Sequence, residues 1–390
     1  MKSTRYYIET YGCQANIRDS QRIEEELKEL GLSACKDYKT ADVVILNSCS
    51  VRQKSEDKIY GWGKKLVSPK SPDYTKKGRQ VVIVTGCLIG SAKGERTRYP
   101  LTYIEKKIPW ADYLLAPEEE SKIPFILVKE NIIASTDLEK LRVNEKDRNT
   151  HIDSSGWSYV NISTGCDNFC TFCVVPYARG KEVSRPSKEI LHEVNELVRN
   201  GNSNIMLLAQ NVNSWGLNVE TKFKLRAGSQ HKIPFADLLE SVHKIKGVKK
   251  ISFLSSNPFD FTQDLIDKLA LPKIDRYLHI AVQSGNNEIL KKMNRRHTIE
   301  EFNELINQIK LKVPDMSFGT DVIVGFPGES NEQFMNTVKL FNEVKFAVAF
   351  ISIYSPRKGT VSERFMKDDV PLKEKKRRHA YLTKVWKESL

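Results

Sequence analysis

The sequence predicts an α/β protein: an N-terminal parallel-sheet α/β domain followed by a larger (βα)6 barrel or partial barrel. Two observations predict this. Short β-rich runs alternate with helical ones along nearly the whole chain, and one polar stretch interrupts that alternation. The length of 390 residues agrees, since at roughly 150 residues per domain it suits two or three cores. The expected division is 1–128 for the first domain, 129–155 for a linker and 156–390 for the second domain with its basic C-terminal helix.

In the first part, Arg5 to Thr10 reads as a strand and Asp19 to Leu30 as a helix closed by Gly31. Val43 to Leu46 and Val81 to Thr85 read as further strands. The linker, Lys129 to Ser155, is polar and weakly periodic. From Trp157 the alternation resumes, with strands expected at Tyr159 to Ser163, Ile205 to Leu208, Lys250 to Leu254, Tyr277 to Val282, Phe318 to Val324 and Ala347 to Ile353. Helices are expected at Lys188 to Arg199, Phe235 to Ile245, Thr262 to Leu269, Glu300 to Leu311 and Glu332 to Val344. Six βα units place chemistry at the C-terminal strand ends. Leu217 to Lys232 is polar and reads as a surface loop. The basic pattern Lys373 to Lys387, with Tyr381 and Trp386, suits either phosphate contact or a solvated helix face, and the second is favoured.

Composition narrows the class. Hydrophobic residues make up 40% and charged residues 28%, which excludes disordered and collagen-like chains. No apolar run approaches the about 20 residues that span a bilayer, and Met1 to Gly12 lacks the apolar stretch of a secretory signal. The expectation is a cytoplasmic protein without a membrane partner. The net charge of +13 suits RNA, and equally a merely soluble basic surface.

Seven cysteines in such a compartment point to metal ligation rather than disulfides. Cys166, Cys170 and Cys173 stand as C-x-x-x-C-x-x-C in TGCDNFCTFC. Three thiolates on one loop suit a cubane iron–sulfur cluster with one iron left open, and a zinc site borrowing His151 or His279 is the alternative. Cys13, Cys49 and Cys87 are 36 and 38 residues apart, each just past an expected strand in ETYGC, ILNSC and VTGC. Parallel strands bring such ends to one sheet edge. These thiols either converge on a second cluster or pack as small apolar groups, and packing is the reading for the leftover Cys35.

The C-x-x-x-C-x-Φ-C pattern, with Phe172 before its last cysteine, resembles the signature of radical S-adenosylmethionine (SAM) enzymes. Together with YGCQAN, NSCSVR, TGC, VVPYARGKEVSRPS, LLAQNVNSW, AVQSGNNEIL, MNRRHT and DVIVGFPGE, it resembles the methylthiotransferases over about Arg5 to Tyr354, most nearly their MiaB-type tRNA branch. The resemblance implies two [4Fe-4S] clusters and SAM. Cys166, Cys170 and Cys173 would be catalytic ligands of the cluster that cleaves SAM to a 5′-deoxyadenosyl radical, and Cys13, Cys49 and Cys87 ligands of an auxiliary cluster that supplies sulfur. The two clusters would face a shared, water-poor cavity.

The implied reaction inserts a methylthio group at C2 of N6-isopentenyladenosine next to the anticodon. Implied partners are the tRNA anticodon stem-loop, a reductant such as flavodoxin or ferredoxin, and a sulfur carrier. Phe172 would meet the cofactor adenine or pack in the core. Gln210, Asn211, Asn213, Ser255 with Ser256, Gln283, Ser284 and Asp321 sit at or near strand ends, suited to cofactor carboxylate or ribose and equally to turn capping. Gly325, Pro327 and Gly328 would shape a loop at the ligand or a plain turn. Arg179, Lys181 and Arg185 suit phosphates or a solvated face. Family members usually carry a further C-terminal β-barrel that holds RNA, and the sequence ends at Leu390, about where it would begin. The alternatives are methylthiolation of threonylcarbamoyladenosine in tRNA or of a ribosomal protein, with Tyr177 leaning toward RNA, and a non-catalytic electron-transfer or RNA-binding module.

Overall fold

A computed structural model describes residues 4–66, 80–138, 156–218, 220–222 and 232–390. The chain forms two compact units, one of Met1–His151, Gly165–Asp167 and Val174–Lys181, the other of Ile152–Thr164, Asn168–Cys173 and Glu182–Leu390.

In the first unit, β1 (Arg5–Tyr11), β2 (Ser33–Ala34), β3 (Val43–Ser48), β4 (Val81–Thr85) and β5 (Tyr113–Leu114) make one parallel sheet in the order β2-β1-β3-β4-β5. The central strands VVILNS and VVIVT are buried along their whole length, and their apolar runs Val43–Leu46 and Val81–Val84 suit the doubly covered middle of a parallel sheet. One face packs Ile23, Leu27, Ile45 and Ile83, and the other packs Leu46, Trp62, Val84 and Leu88. The first helix is Gln14–Glu29, so it starts before Asp19. Its opening turn is polar and carries no core-facing period, and the buried Asn16 and Asp19 belong to the site instead. After β4 come the helices Cys87–Lys93 and Leu101–Glu105. Of the stretch expected as a linker, Ile132 and Ile133 pack against the first core, while 139–155 lie outside the described residues.

In the second unit, β6 (Ser158–Asn161), β7 (Ser163–Thr164), β8 (Val183–Ser184), β9 (Asn204–Leu208), β10 (Lys250–Phe253), β11 (Tyr277–His279), β12 (Ser317–Val324) and β13 (Val348–Ile353) follow in sequence. Two parallel three-stranded sheets run β6-β9-β10 and β11-β12-β13. The bridges Ile251↔Ile274 and Ser256↔Ile280 link them. The result is six parallel strands in the order of a partial (βα)6 barrel, with the helices Ser187–Arg199, Pro234–Lys244, Gln263–Leu269, Ile299–Lys312 and Asn331–Val344 interleaved in sequence. The antiparallel ribbon β7–β8, Ser163 opposite Ser184, pins the base of the loop that holds the C-x-x-x-C-x-x-C motif. In the expected loop Leu217 to Lys232, residues 219 and 223–231 lie outside the described residues.

The basic C-terminal stretch is a helix, Leu372–Glu388, but not simply a solvated face. Lys375, Arg378 and Leu382 are buried. The Arg378 guanidinium donates to Glu329 at 2.7 Å, Lys375 to the Tyr354 carbonyl at 3.3 Å and the Trp386 indole to the Phe346 carbonyl at 2.8 Å. A basic pattern on paper hides these partners because the acceptors come from elements far away in sequence.

Candidate metal centres and cofactor site

The first centre grows from three strand ends of one sheet. Cys13 follows β1 and caps the first helix, Cys49 follows β3, and Cys87 opens the helix after β4. Cys13 is exposed, and Cys49 and Cys87 are buried. The Cys49 thiol interacts with both of the others. That contact, with the Arg179 charge, holds the Cys13 and Cys87 thiols below the usual range, while the two neighbours push Cys49 up. The thiolate form is the one that binds metal, and the Arg179 charge favours it at Cys13 and Cys87.

Residues that the spacing alone does not reveal complete the setting. The Asn16 amide donates to Asn47 Oδ1 at 2.9 Å and lies 3.9 Å from Cys87 Sγ. Asn47 donates back to the Asn16 carbonyl at 3.0 Å, and the Val51 amide donates to Cys49 Sγ at 3.3 Å. Gly86 takes φ +92, and an added Cβ would overlap Asn47 Oδ1; glycine is what lets the chain turn there. Arg179 donates from Nε to Cys87 Sγ at 3.3 Å and from Nη2 to Asp19 at 2.6 Å. Buried and bonded in this way, Arg179 is neither the solvated cation nor the free phosphate contact that the sequence left open. Arg185 is likewise engaged, with the Asn161 carbonyl at 2.6 Å and Glu193 at 2.7 Å, and Lys181 pairs with Glu95 at 2.9 Å. Beside this set, burial and the Asp19 charge push the Glu120 carboxyl up to about 7, although it accepts from Arg22 at 2.6 Å and from Thr85 at 2.8 Å.

Among the described residues, no group of three or more His, Cys, Asp or Glu is disposed to hold a metal ion. The cysteine trio offers three thiols and no imidazole or carboxylate, a donor set that suits an iron–sulfur cluster. An all-thiol donor set with a nearby cation fits such a cluster. Cys35 packs as expected of a spare thiol, half-buried and donating to the Tyr6 carbonyl at 3.3 Å.

The C-x-x-x-C-x-x-C loop spans the two units in sequence. Cys166 falls in the first, buried, its amide donating to the Gly180 carbonyl at 3.3 Å. Cys170 and Cys173 lie in the second on one turn, the Cys173 amide donating to the Cys170 carbonyl at 2.9 Å. Arg295 reaches Cys170 Sγ at 3.6 Å. Thr171 Oγ1 donates to the Lys292 carbonyl at 2.9 Å, and the Asn294 amide donates to the Phe169 carbonyl at 3.0 Å. Those bonds hold Phe169 in a left-handed conformation, φ +49, a strain of order 1–3 kcal/mol that the surroundings must offset.

The other expected residues divide. Phe172 packs edge-on against Phe326, ring centroids 6.3 Å apart, in a small cluster with Ile289 and Tyr354. Asn211 and Asn213 are fully buried. The Asn211 amide donates to Asp260 at 2.9 Å and accepts from Asn257 at 2.7 Å. Asn213 donates to the Asn257 and Asp260 carbonyls at 2.9 and 2.8 Å and accepts from the Asn257 amide at 3.0 Å. Their amides are bonded inside the fold, where both brace the turn after β10. Gln210 is half-buried and Ser255 is exposed. Ser284 is buried, accepting from the Asn286 amide at 3.3 Å.

Ser255, Gln283 and Gly325 all have positive φ, +67, +72 and +70. Three successive strand ends of the barrel therefore turn away from extended geometry, where strained backbone marks sites. The Gly325 amide donates to Glu329 at 2.6 Å. Asp321 lies opposite Phe350 in register and bonds His279 Nε2 at 2.7 Å, while Tyr277 meets His279 Nδ1 at 3.0 Å. Both His279 nitrogens are thus engaged, which removes it from the zinc alternative; His151 lies outside the described residues. Phe350 is 51% exposed with its ring 5.7 Å from His279.

Residues 160–341 match the Radical SAM superfamily and residues 5–102 the uncharacterized protein family UPF0004. The tRNA-2-methylthio-N(6)-dimethylallyladenosine synthase of Clostridium botulinum (strain Loch Maree / Type A3) is 38% identical over 387 residues, covering 97% of this chain and 81% of that protein. The synthase of the same name from Thermotoga petrophila is 40% identical over 391 residues, covering 98% and 82%. The chain belongs to this family.

As a radical SAM methylthiotransferase acting on tRNA, it uses SAM and [4Fe-4S] clusters. Among solved structures, the radical SAM methyltransferase TsrM from Kitasatospora setae has a TM-score of 0.58 at 12% identity over 90% of this chain and 73% of that one. The cobalamin-dependent radical enzyme OxsB scores 0.55 at 12% identity over 99% and 56%. These two show that the methylthiotransferase shares their fold.

His297, in the same unit as Cys170, stacks on Phe259 with ring centroids 6.1 Å apart. Burial, helped by the Arg295 charge, holds its imidazole down to about 3. The unfolded chain binds the proton near pH 6.5 and the folded chain does not. Its contribution is therefore complete above pH 6.5 and is lost as pH falls toward 3, at about 1.4 kcal/mol per unit. Urea melts at pH 7 and pH 4.5 should show about 3 kcal/mol more acid loss in the parent than in His297→Gln. Equal losses would remove this role.

Proposed function

We propose that this chain inserts a methylthio group at C2 of N6-isopentenyladenosine (dimethylallyladenosine) beside the anticodon of tRNA. The observation that carries the reading is the meeting of Cys13, Cys49 and Cys87 at one sheet edge, in a chain that also carries the radical SAM match.

In this reading Cys13, Cys49 and Cys87 hold one [4Fe-4S] cluster and Cys166, Cys170 and Cys173 hold the other, each through three thiolates that leave an iron open. When bound, the clusters supply the sulfur and the electron that cleaves SAM. The chain's own residues bind and orient. Phe172, Gln210, Ser255, Gln283, Ser284, Asp321 and Gly325 contact SAM. Asn211 and Asn213 act one step back, keeping the strand ends fixed through Asn257 and Asp260. The Asp321 carboxylate, aligned by His279 and Tyr277, accepts hydrogen bonds from the ligand. Phe350 offers an open aromatic face on which a purine can stack.

The reductant is a flavodoxin or ferredoxin, a sulfur carrier replenishes the first centre, and the site of action is the cytoplasm. Among the described residues no helix is long and apolar enough to cross a membrane.

The test is complementation. A strain lacking its own enzyme, given this gene, should regain 2-methylthio-N6-isopentenyladenosine in digested tRNA read by mass spectrometry. Unchanged N6-isopentenyladenosine, with both clusters loaded, would overturn the assignment. A methylthio mark on threonylcarbamoyladenosine would redirect it.

A further inference from the structure

We infer that Arg179 is the charge partner that stabilises the reduced state of the iron–sulfur centre at Cys13, Cys49 and Cys87, an inference that rests on the ligand assignment above. Arg179 comes from Val174–Lys181, which belongs to the first unit, and the single turn Val175–Ala178 presents it.

That turn lies against the helix opened by Cys87, so closely that a Cβ on Gly90 would overlap the Ala178 carbonyl oxygen. Two ion pairs fasten the flanks, Arg96 to Asp167 at 2.8 Å and Lys181 to Glu95 at 2.9 Å. The Arg179 side chain is thereby taken out of water, only 5% exposed, against Asp19 at 7%.

A buried guanidinium is costly unless its donors are used. Here the fork is divided: Nη2 donates to Asp19 at 2.6 Å and Nε to Cys87 Sγ at 3.3 Å. A planar guanidinium can hold a carboxylate and a sulfur at once, whereas an ammonium offers a point charge without the fixed fork. Arg22, the next cation, is bonded to Glu120 at 2.6 Å. Among the groups named around the trio, the cation bonded to a sulfur is therefore Arg179, tempered by Asp19.

Hydrogen bonds to cluster sulfurs and local charge set the potential of such centres. A cation at the sulfur favours the added electron, and a carboxylate behind that cation weakens the effect. The two residues therefore have opposite signs, which a merely packing role would not produce.

The experiment uses the full chain with Cys166, Cys170 and Cys173 replaced by Ala, so that remaining iron belongs to the N-terminal site. Parent, Arg179→Gln and Asp19→Asn forms are loaded anaerobically, assayed for iron and titrated with a graded reductant by electron paramagnetic resonance. About four irons are expected in the parent. Arg179→Gln should lower the midpoint by about a tenfold change in the oxidised-to-reduced ratio, about 59 mV for one electron, and Asp19→Asn should raise it. Arg179→Lys should recover part of the loss. Two variants that titrate with the parent would overturn the inference. If Arg179→Gln holds no iron, Asp19→Asn decides: a raised midpoint supports the inference, and an unchanged or lower one overturns it. A parent that binds no iron shows instead that the ligand assignment is wrong, and the inference falls with it.

Discussion

Cys170→Ala should reduce cleavage of SAM to the uncatalysed background while Cys35→Ala leaves it unchanged. Cys170 is the middle thiol of the C-x-x-x-C-x-x-C loop, half-buried, with Arg295 at 3.6 Å from its sulfur. Three thiolates are the fewest that hold a cubane with one iron open to the cofactor, so losing one removes the centre rather than weakening it. The change should therefore appear twice. The assay for 5′-deoxyadenosine and methionine should fall to background, and iron per chain should drop from about eight to about four, the auxiliary cluster remaining. Retained cleavage in Cys170→Ala would show that the loop does not hold the cluster. Cys35 is the matched control, because its thiol donates to the Tyr6 and Asp37 carbonyls and touches neither trio.

Gly86→Ala should destabilise the first unit by at least about 3 kcal/mol and empty its metal site. Gly86 sits at φ +92, and a Cβ there would overlap Asn47 Oδ1 and approach the Ser48 carbonyl within 2.7 Å. Neither neighbour can yield cheaply: Asn47 is fully buried and bonded to Asn16 and Ser20, and Ser48 ends the central strand. The methyl group is therefore relieved only by shifting the turn that carries Cys87. Urea unfolding and iron content read the two consequences separately. A variant with the parent's midpoint and full iron would show that the turn tolerates side chains.

The strands and helices of the barrel were legible because each buries one face against the core, and burial writes its period into the sequence. Of the two cysteine sets, one was legible from its compact spacing and the other from its position past strand ends. What escaped was direction and pairing. Asn211 and Asn213 sit at a strand end as a ligand-binding residue would, yet their amides turn inward to Asn257 and Asp260, and a one-dimensional pattern carries no sign for inward or outward at a loop. Arg179 read as a phosphate contact or a solvated cation because its partner Asp19 lies 160 residues away. The residues of the first turn, Gln14 to Arg18, were missed because the buried Asn16 bonds Asn47 rather than joining the hydrophobic stripe. The signal that could have found them is polarity where a helix should be apolar, beside YGC and NSC.

The flanking strands of the N-terminal sheet, Ser33–Ala34 and Tyr113–Leu114, have two residues each. Long free edges are templates on which a second chain can add itself and start an aggregate. Among the described residues, a sheet whose middle is buried but whose rims are this brief offers almost no such seam. A freshly synthesised molecule can therefore wait for its iron and sulfide without sticking to its neighbours through that sheet.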